Sequence, residues 1–356
     1  MKMENPILEN MKGKSAPWLD GEGPDSFAVL SSRIRLARNV SDFPFPPGAD
    51  TDSREKILDY LSPTFGKVPM LKKGKFISAS DLDNLSQKFL MERHLISPEF
   101  LRGGSGRGLF IDTDEKISIM LNEEDHIRLQ VISSGMSLGE CWDIANKIDD
   151  ELSGLIQYDF NDQFGYLTSC PTNAGTGLRA SVLIHLPGLV HTGEIDGVIQ
   201  NISKIGLVVR GFYGEGTDVL GNLFQISNQT TLGRTEEEII DSLIKVTGKI
   251  IENEQNAQGQ LMNDAADQIE DKVWRSYGIL SHARVLTSKE VMNMLSALRL
   301  GLSLGIIDKF DYRELNELMI ITQPAHLQKY INREMDNVER DIARADLVRQ
   351  RFNKSD

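Results

Sequence analysis

Apolar and polar residues alternate over residues 27–40, the period of a strand, and Pro44, Pro46 and Pro47 then break the run. Residues 79–95 carry a helical period. A Gly-rich turn from Gly103 to Gly108 leads into strand-like runs near 108–112 and 117–121, and a third lies near 126–133. Ser137 with Glu140 reads as a capping box. It opens a stretch whose apolar residues, Leu138, Cys141, Ile144, Ala145, Ile148, Leu152 and Leu155, recur at helical spacing. Strand-like runs return near 164–168, 179–186, 205–211 and 222–227. Beyond about residue 234 the texture changes: Thr235 with Glu238 and Thr287 with Glu290 are further capping boxes, and helical periods run to the end. The pattern predicts an α+β chain, with a sheet-rich domain over 1–255 and a helical domain over 256–356. The Ala257-Gln258-Gly259-Gln260 stretch is the expected boundary.

Composition narrows the class. The 356 residues are 40% hydrophobic and 26% charged, as in an ordinary soluble protein. No apolar run approaches the roughly 18 residues of a membrane span, and residues 1–14 lack the apolar core of a signal peptide. Two cysteines, Cys141 and Cys170, make no disulfide framework, and a reducing cytoplasm is the expected compartment. Cys141, on an apolar helix face, reads as core. The net charge of −13 disfavours direct binding of nucleic acid and is compatible with basic partners, although acidity for solubility alone is the better account of it.

Several chemistries are missing. Gly13-Lys14-Ser15 lacks the earlier glycine of a phosphate-binding P-loop, since position 8 is Leu8. There is no H-R-D loop or D-F-G, and no Cys/His cluster with zinc spacing. Arginines are dense instead. Arg33 and Arg35 are two apart, so on a strand they point the same way. Arg128, Arg179 and Arg210 lie in or beside other apolar strand-like runs, where an unpaired charge is costly. Singly, each is accounted for by a structural ion pair. Together, with Gly-rich neighbours that let a ligand approach closely, the five favour a polyphosphate clamp.

Cys170-Pro171-Thr172-Asn173, then Gly175-Thr176-Gly177, then Arg179-Ala180-Ser181-Val182, resembles the signature of the ATP:guanido phosphotransferases, the family of arginine and creatine kinases. Asn122-Glu123-Glu124-Asp125-His126 with Arg128 is similar to a second family block. Ser31-Ser32-Arg33-Ile34-Arg35 is similar to a third, Arg210-Gly211-Phe212-Tyr213-Gly214-Glu215 to a fourth, and Gly106-Arg107-Gly108 also matches. The resemblance implies a large, mainly antiparallel sheet flanked by helices. It implies that Arg33, Arg35, Arg128, Arg179 and Arg210 hold the phosphates of ATP, with Mg²⁺ bridging them and no metal ligand from the protein. Residues 31–35, Arg179 to Leu183 and 210–215 would line the nucleotide. His94 would lie near the base or ribose, with a surface histidine as the alternative. Cys170 matches the family's reactive cysteine and would assist in holding the guanidinium rather than act as a covalent nucleophile.

The reaction itself calls for carboxylates. A guanidinium is protonated at neutral pH and is a poor nucleophile. A carboxylate accepting two parallel N–H bonds both orients it and takes its proton. Glu124 and Glu215 stand where the family has two such groups, with Glu215 expected as base and Glu124 as orienting partner. Small-molecule kinases of the family carry an N-terminal helical domain that encloses the substrate. Here the first block begins near residue 31 and a helical extension follows the last, as in bacterial protein-arginine kinases. The run Arg340-Asp341-Ile342-Ala343-Arg344-Ala345 matches the R-D-x-x-R-A motif associated there with phosphoarginine binding; an ordinary helical charge pattern is the alternative. The resemblance further implies arginine-containing protein substrates, a small zinc-binding activator, a chaperone-linked protease and a homodimer. A free-arginine kinase and a non-catalytic protease adaptor are the competing expectations.

Overall fold

The computed structural model describes residues 6–102, 104–211 and 219–353. Among these the strands are β1 (Val29–Arg38), β2 (Lys75–Ser78), β3 (Gly108–Ile111), β4 (Ile117–Leu121), β5 (Ile127–Ser134), β6 (Phe160–Asn161), β7 (Gly165–Tyr166), β8 (Leu178–His185), β9 (Leu207–Arg210) and β10 (Leu223–Asn228). The helices are α1 (Pro6–Met11), α2 (Thr51–Phe65), α3 (Asn84–Glu92), α4 (Pro98–Leu101), α5 (Leu138–Ser153), α6 (Pro187–His191), α7 (Ile195–Lys204), α8 (Glu236–His282), α9 (Ser288–Ser303), α10 (Tyr312–Ile321), α11 (Pro324–Ile331) and α12 (Asn337–Phe352). Eight strands form one sheet in the order β2-β3-β4-β5-β1-β8-β10-β9, and every neighbouring pair is antiparallel. β6 and β7 form a separate hairpin.

The two-residue alternation of strands gives the central sheet two unlike faces. Ile34, Leu36, Leu129, Val131, Ala180, Val182 and Ile226 point to one side, where α5 and the first half of α8 complete a dry core. Cys141 is in that core, fully buried, and burial pushes its thiol up to about 12. The other face carries Arg33, Arg35, Gln130, Arg179 and Gln225. Its end at Leu30, Ile132, Leu183 and Leu223 is covered by a second core built from Trp18 and helices α8 to α12.

Several local expectations change. Residues 79–95 hold a short 3-10 turn at Ala79–Asp81 and then α3, which ends before a left-handed residue at His94. Ser137 makes no capping bond to α5: its hydroxyl donates to Ser134 O at 2.8 Å, and Glu140 pairs with Lys116 at 3.0 Å. Of 164–168 only Gly165 and Tyr166 are strand. Helix α2 was not among the expected elements; its apolar face is sparse and Pro63 lies inside it. The capping boxes at Thr235 and Thr287 are present, and Asp311 with Glu314 and Asp336 with Glu339 form two more. Residues 257–260 lie inside α8, which breaks instead at Ala265 (φ −149°, ψ 32°). No helix among the described residues is long and apolar enough to cross a membrane.

Candidate active site

The sheet register assembles the site. Arg33 stands opposite Ile132 and Ser181, and Arg35 opposite Gln130 and Arg179, so both arginines share a face with their cross-strand partners. Arg210, at the end of β9, pairs with Gln225. These side chains floor a cleft of about 550 Å³ whose walls include Arg128, Glu124, Cys170, Asn173 and His94. All five arginines therefore converge from four strands on one space, with Glu124 and Cys170 at its side. Ser31, Ser181 and Leu183 line a small adjoining cavity. Ser32, Ile34, Ala180 and Val182 have the opposite parity: Ile34, Ala180 and Val182 are in the core, and Ser32 Oγ donates to Gly135 O at 2.8 Å beside α5. Gly211 is buried at the end of β9. Phe212, Tyr213, Gly214 and Glu215 lie outside the described residues.

The cluster is electrostatically demanding. Burial, reinforced by Arg128 and Arg179, pushes the Arg33 guanidinium down to about 9. Burial again, then Arg33, Arg128 and Arg179, holds Arg35 well below the ordinary arginine range. Arg35 Nε is buried without a hydrogen-bond partner among the described residues. Clustered, half-buried cations with an unspent donor on Arg35 fit a polyanion such as a triphosphate.

Arg128 has a built-in counterion, Glu123, which was not anticipated. Arg128 Nη1 is 2.7 Å from both Glu123 oxygens. Glu123 also accepts from Ser97 Oγ and, at 3.0 Å, from the backbone N–H of Glu124. Burial works against both charges, but each holds the other ionised: the carboxyl lies below its ordinary value and the guanidinium above. The neighbouring Glu124 is aimed into the cleft. Burial raises its carboxyl above the ordinary range, against the pull of Arg128 and of a hydrogen bond from Cys170. The loop is held from below: Arg107 donates to Glu123 O at 3.0 Å, and Asp125 accepts from Asn39 and Ser169 N, each at 2.7 Å. Periodicity alone does not distinguish the two glutamates, because a turn has no fixed parity; the family resemblance is what singled out Glu124.

Glycines of the Cys170–Arg179 segment serve the fold rather than ligand approach. A side chain at Gly177 (φ +65°) would lie 2.6 Å from Ala37 O, and one at Gly175 (φ +102°) 2.6 Å from Thr231 O.

The family model described as the ATP:guanido phosphotransferase C-terminal catalytic domain matches residues 57–257. The chain belongs to this family. A further model, the Protein-arginine kinase McsB C-terminal domain, matches residues 266–356 of this guanido phosphotransferase. A protein of Halothermothrix orenii named "Protein-arginine kinase" is 47% identical over 99% of this chain and 100% of its own length. One of the same name from Desulforamulus reducens is 46% identical over 98% of each. The crystal structure of lombricine kinase superposes with a TM-score of 0.58 over 71% of this chain and 76% of that one, at 24% identity. The substrate-free duplicated taurocyamine kinase from Schistosoma mansoni gives 0.58 over 80% and 41%, at 22% identity. These two share the fold.

In this guanido phosphotransferase His94 closes one end of the cleft. Its ring meets Trp18 edge-on at 5.1 Å, and its carbonyl accepts from Gln130 at 2.6 Å. Burial, then Arg33 and Arg35, pushes it down to about 3, so it is neutral at physiological pH. The unfolded chain takes up a proton below about 6.5 while the folded chain does not. Stability from this residue is thus complete above that pH and falls as pH drops towards 3. His94→Asn, which suits the left-handed backbone (φ 61°), should lose less stability between pH 7.5 and 5 than the parent in urea titrations. An equal loss in both proteins would contradict the assignment.

The C-terminal motif is split by burial. Arg340 is partly exposed, and its Nη1 donates to Met335 O at 2.7 Å. Arg344 is 1% exposed and Ala345 is buried. Arg344 donates to Thr322 O at 2.8 Å and Leu286 O at 2.7 Å, and pairs with Asp341. It ties α12 to the end of α10 and the start of α9.

Proposed function

We propose that this chain is a protein-arginine kinase that transfers the γ-phosphate of ATP to arginine side chains of proteins. The observation that carries the reading is the convergence of Arg33, Arg35, Arg128, Arg179 and Arg210 on one cleft beside Glu124 and Cys170, in a chain with relatives of that name along nearly its whole length. The arginines seat the triphosphate and neutralise charge as the P–O bond to ADP breaks. Mg²⁺ accompanying the nucleotide would supply further charge neutralisation beside these arginines.

Glu124 accepts N–H bonds from the incoming guanidinium and aligns one nitrogen with the γ-phosphorus. Glu215 takes the proton released as the N–P bond forms. Cys170 Sγ, which contacts Thr172 Oγ1 at 3.0 Å, supports the guanidinium electrostatically. In this reading residues 1–255 form the catalytic domain and 256–356 the helical domain. Arg340, Asp341, Arg344 and Ala345 mark a phosphoarginine-responsive region, in which a phosphate would compete with Asp341 for Arg344. The phosphorylated proteins pass to a chaperone-linked protease, and a zinc-binding activator and a second copy of the chain are the expected partners in the cytoplasm.

The test is mass spectrometry of mixed proteins after incubation with Mg-ATP. Acid-labile phosphoarginine is expected with the parent and absent with Glu215→Ala. Product on free arginine alone would make it a small-guanidine kinase. Full biological function of Glu215→Ala would make it an adaptor.

A further inference from the structure

Beside the catalytic cleft lies a second, open groove of about 470 Å³ that the reaction does not use. One wall is the β6–β7 hairpin with Phe160, Phe164 and Tyr166; the other carries Leu232. Phe160 is 55% exposed, Phe164 48% and Leu232 54%. Apolar side chains this exposed, grouped on one surface, mark a contact site more often than a lone exposed residue does.

The platform is rigid. Tyr166 lies under the Arg38 guanidinium, 3.5 Å from its ring centre, and Arg38 is fixed by Asp149 at 2.6 Å. Phe160 meets Tyr166 edge-on at 5.3 Å. Tyr166 N donates to Gly175 O at 2.8 Å, and Gly165 allows that approach. The groove is also adjacent to the cleft. Gly175, Thr176 and Thr231 line the groove, while Cys170, Thr172 and Asn173 line the cleft. Thr231 Oγ1 donates to Thr172 O at 3.0 Å and Ala174 O at 2.6 Å, so a single chain segment, 170–176, separates the two. The flanking sequence is acidic: Asp159, Asp162, Glu236, Glu237 and Glu238 stand against Arg234 alone in segments 158–166 and 231–238.

We propose that this groove is the docking site for the substrate polypeptide: an extended, apolar and basic segment next to the arginine being phosphorylated. The proposal rests on the kinase reading above. Aromatic walls take the apolar side chains, and the acidic rim takes the cationic ones. It predicts selection for segments that folded proteins bury, because apolar residues flanking an arginine are accessible chiefly in unfolded chains.

The experiment uses two 15-residue peptides with one central arginine, flanked either by Leu, Phe and Lys or by Ser and Gly. The full-length parent should phosphorylate the first with a KM about tenfold lower. Phe160→Ser/Phe164→Ser should bring the two KM values together, leaving the KM for ATP and the rate on N-acetyl-arginine amide unchanged. Leu232→Ser, from the opposite wall, should do the same and guards against a misfolded hairpin. A preference that survives both variants, or is absent in the parent, overturns the groove while the kinase reading stands. A parent that phosphorylates N-acetyl-arginine amide but neither peptide nor any protein overturns both.

Discussion

Glu124→Gln should lower kcat/KM for arginine phosphorylation at least about 10²-fold while leaving the melting midpoint close to that of the parent. Glu123→Ala, one residue earlier, should instead unfold the protein readily. The contrast follows from where each carboxylate ends. Glu124 faces the cleft beside Cys170, where an incoming guanidinium would meet it. A glutamine keeps the shape but loses the second acceptor and the charge that align the incoming nitrogen. Glu123 is buried under the loop with both oxygens on Arg128. Deleting it leaves a largely buried guanidinium without its counterion, which costs about 3–5 kcal/mol. Steady-state kinetics beside thermal melts separates the two. Unchanged kinetics in Glu124→Gln would remove that carboxylate from the reaction.

The family resemblance singled out Glu124, but periodicity alone does not separate it from Glu123, and the reason is geometric. On the strands, parity is fixed: Arg33 and Arg35 share a side, and Ile34 between them is in the core. Periodicity thus reached the sheet, the cationic floor and the role of Cys141. It failed where geometry is set by other segments. Residues 122–126 form a turn beginning at a left-handed Asn122, so adjacent glutamates diverge without warning. Ser137 satisfied the letter pattern of a capping box, yet its hydroxyl had a nearer acceptor.

Long-range contacts were hidden for the same reason. Glu92 accepts from Ala325 N at 2.9 Å and from His326 N and Nδ1, each at 2.8 Å, across more than half the chain. That bond ties the N-terminus of α11 to the helix leading into His94, so the helical region bears directly on one end of the cleft. Arg344, four residues from Arg340 on α12, is buried against Thr322 and Leu286 while Arg340 stays partly exposed.

Arg35→Met should raise the stability of the nucleotide-free protein and, at the same time, lower ATP-dependent activity about 10³-fold or more. Arg35 stands beside Arg179 in register and near Arg33 and Arg128, and Glu123 pulls the other way. A guanidinium keeps its proton at neutral pH, so these surroundings appear as lost stability rather than lost charge. Methionine matches much of the stem volume without charge, and replacing buried ion pairs by apolar side chains is often neutral or stabilising by about 1–4 kcal/mol, which sets the scale for removing this repelled cation. A bound triphosphate would supply the missing anion, so ATP should stabilise the parent far more than the variant. The measurement is a pair of thermal melts, with and without Mg-ATP, for each protein. The crossing expected is a variant more stable alone and less responsive to nucleotide. A variant that melts lower alone and shifts as fully with ATP would mean that Arg35 braces the sheet, and that the phosphates sit elsewhere.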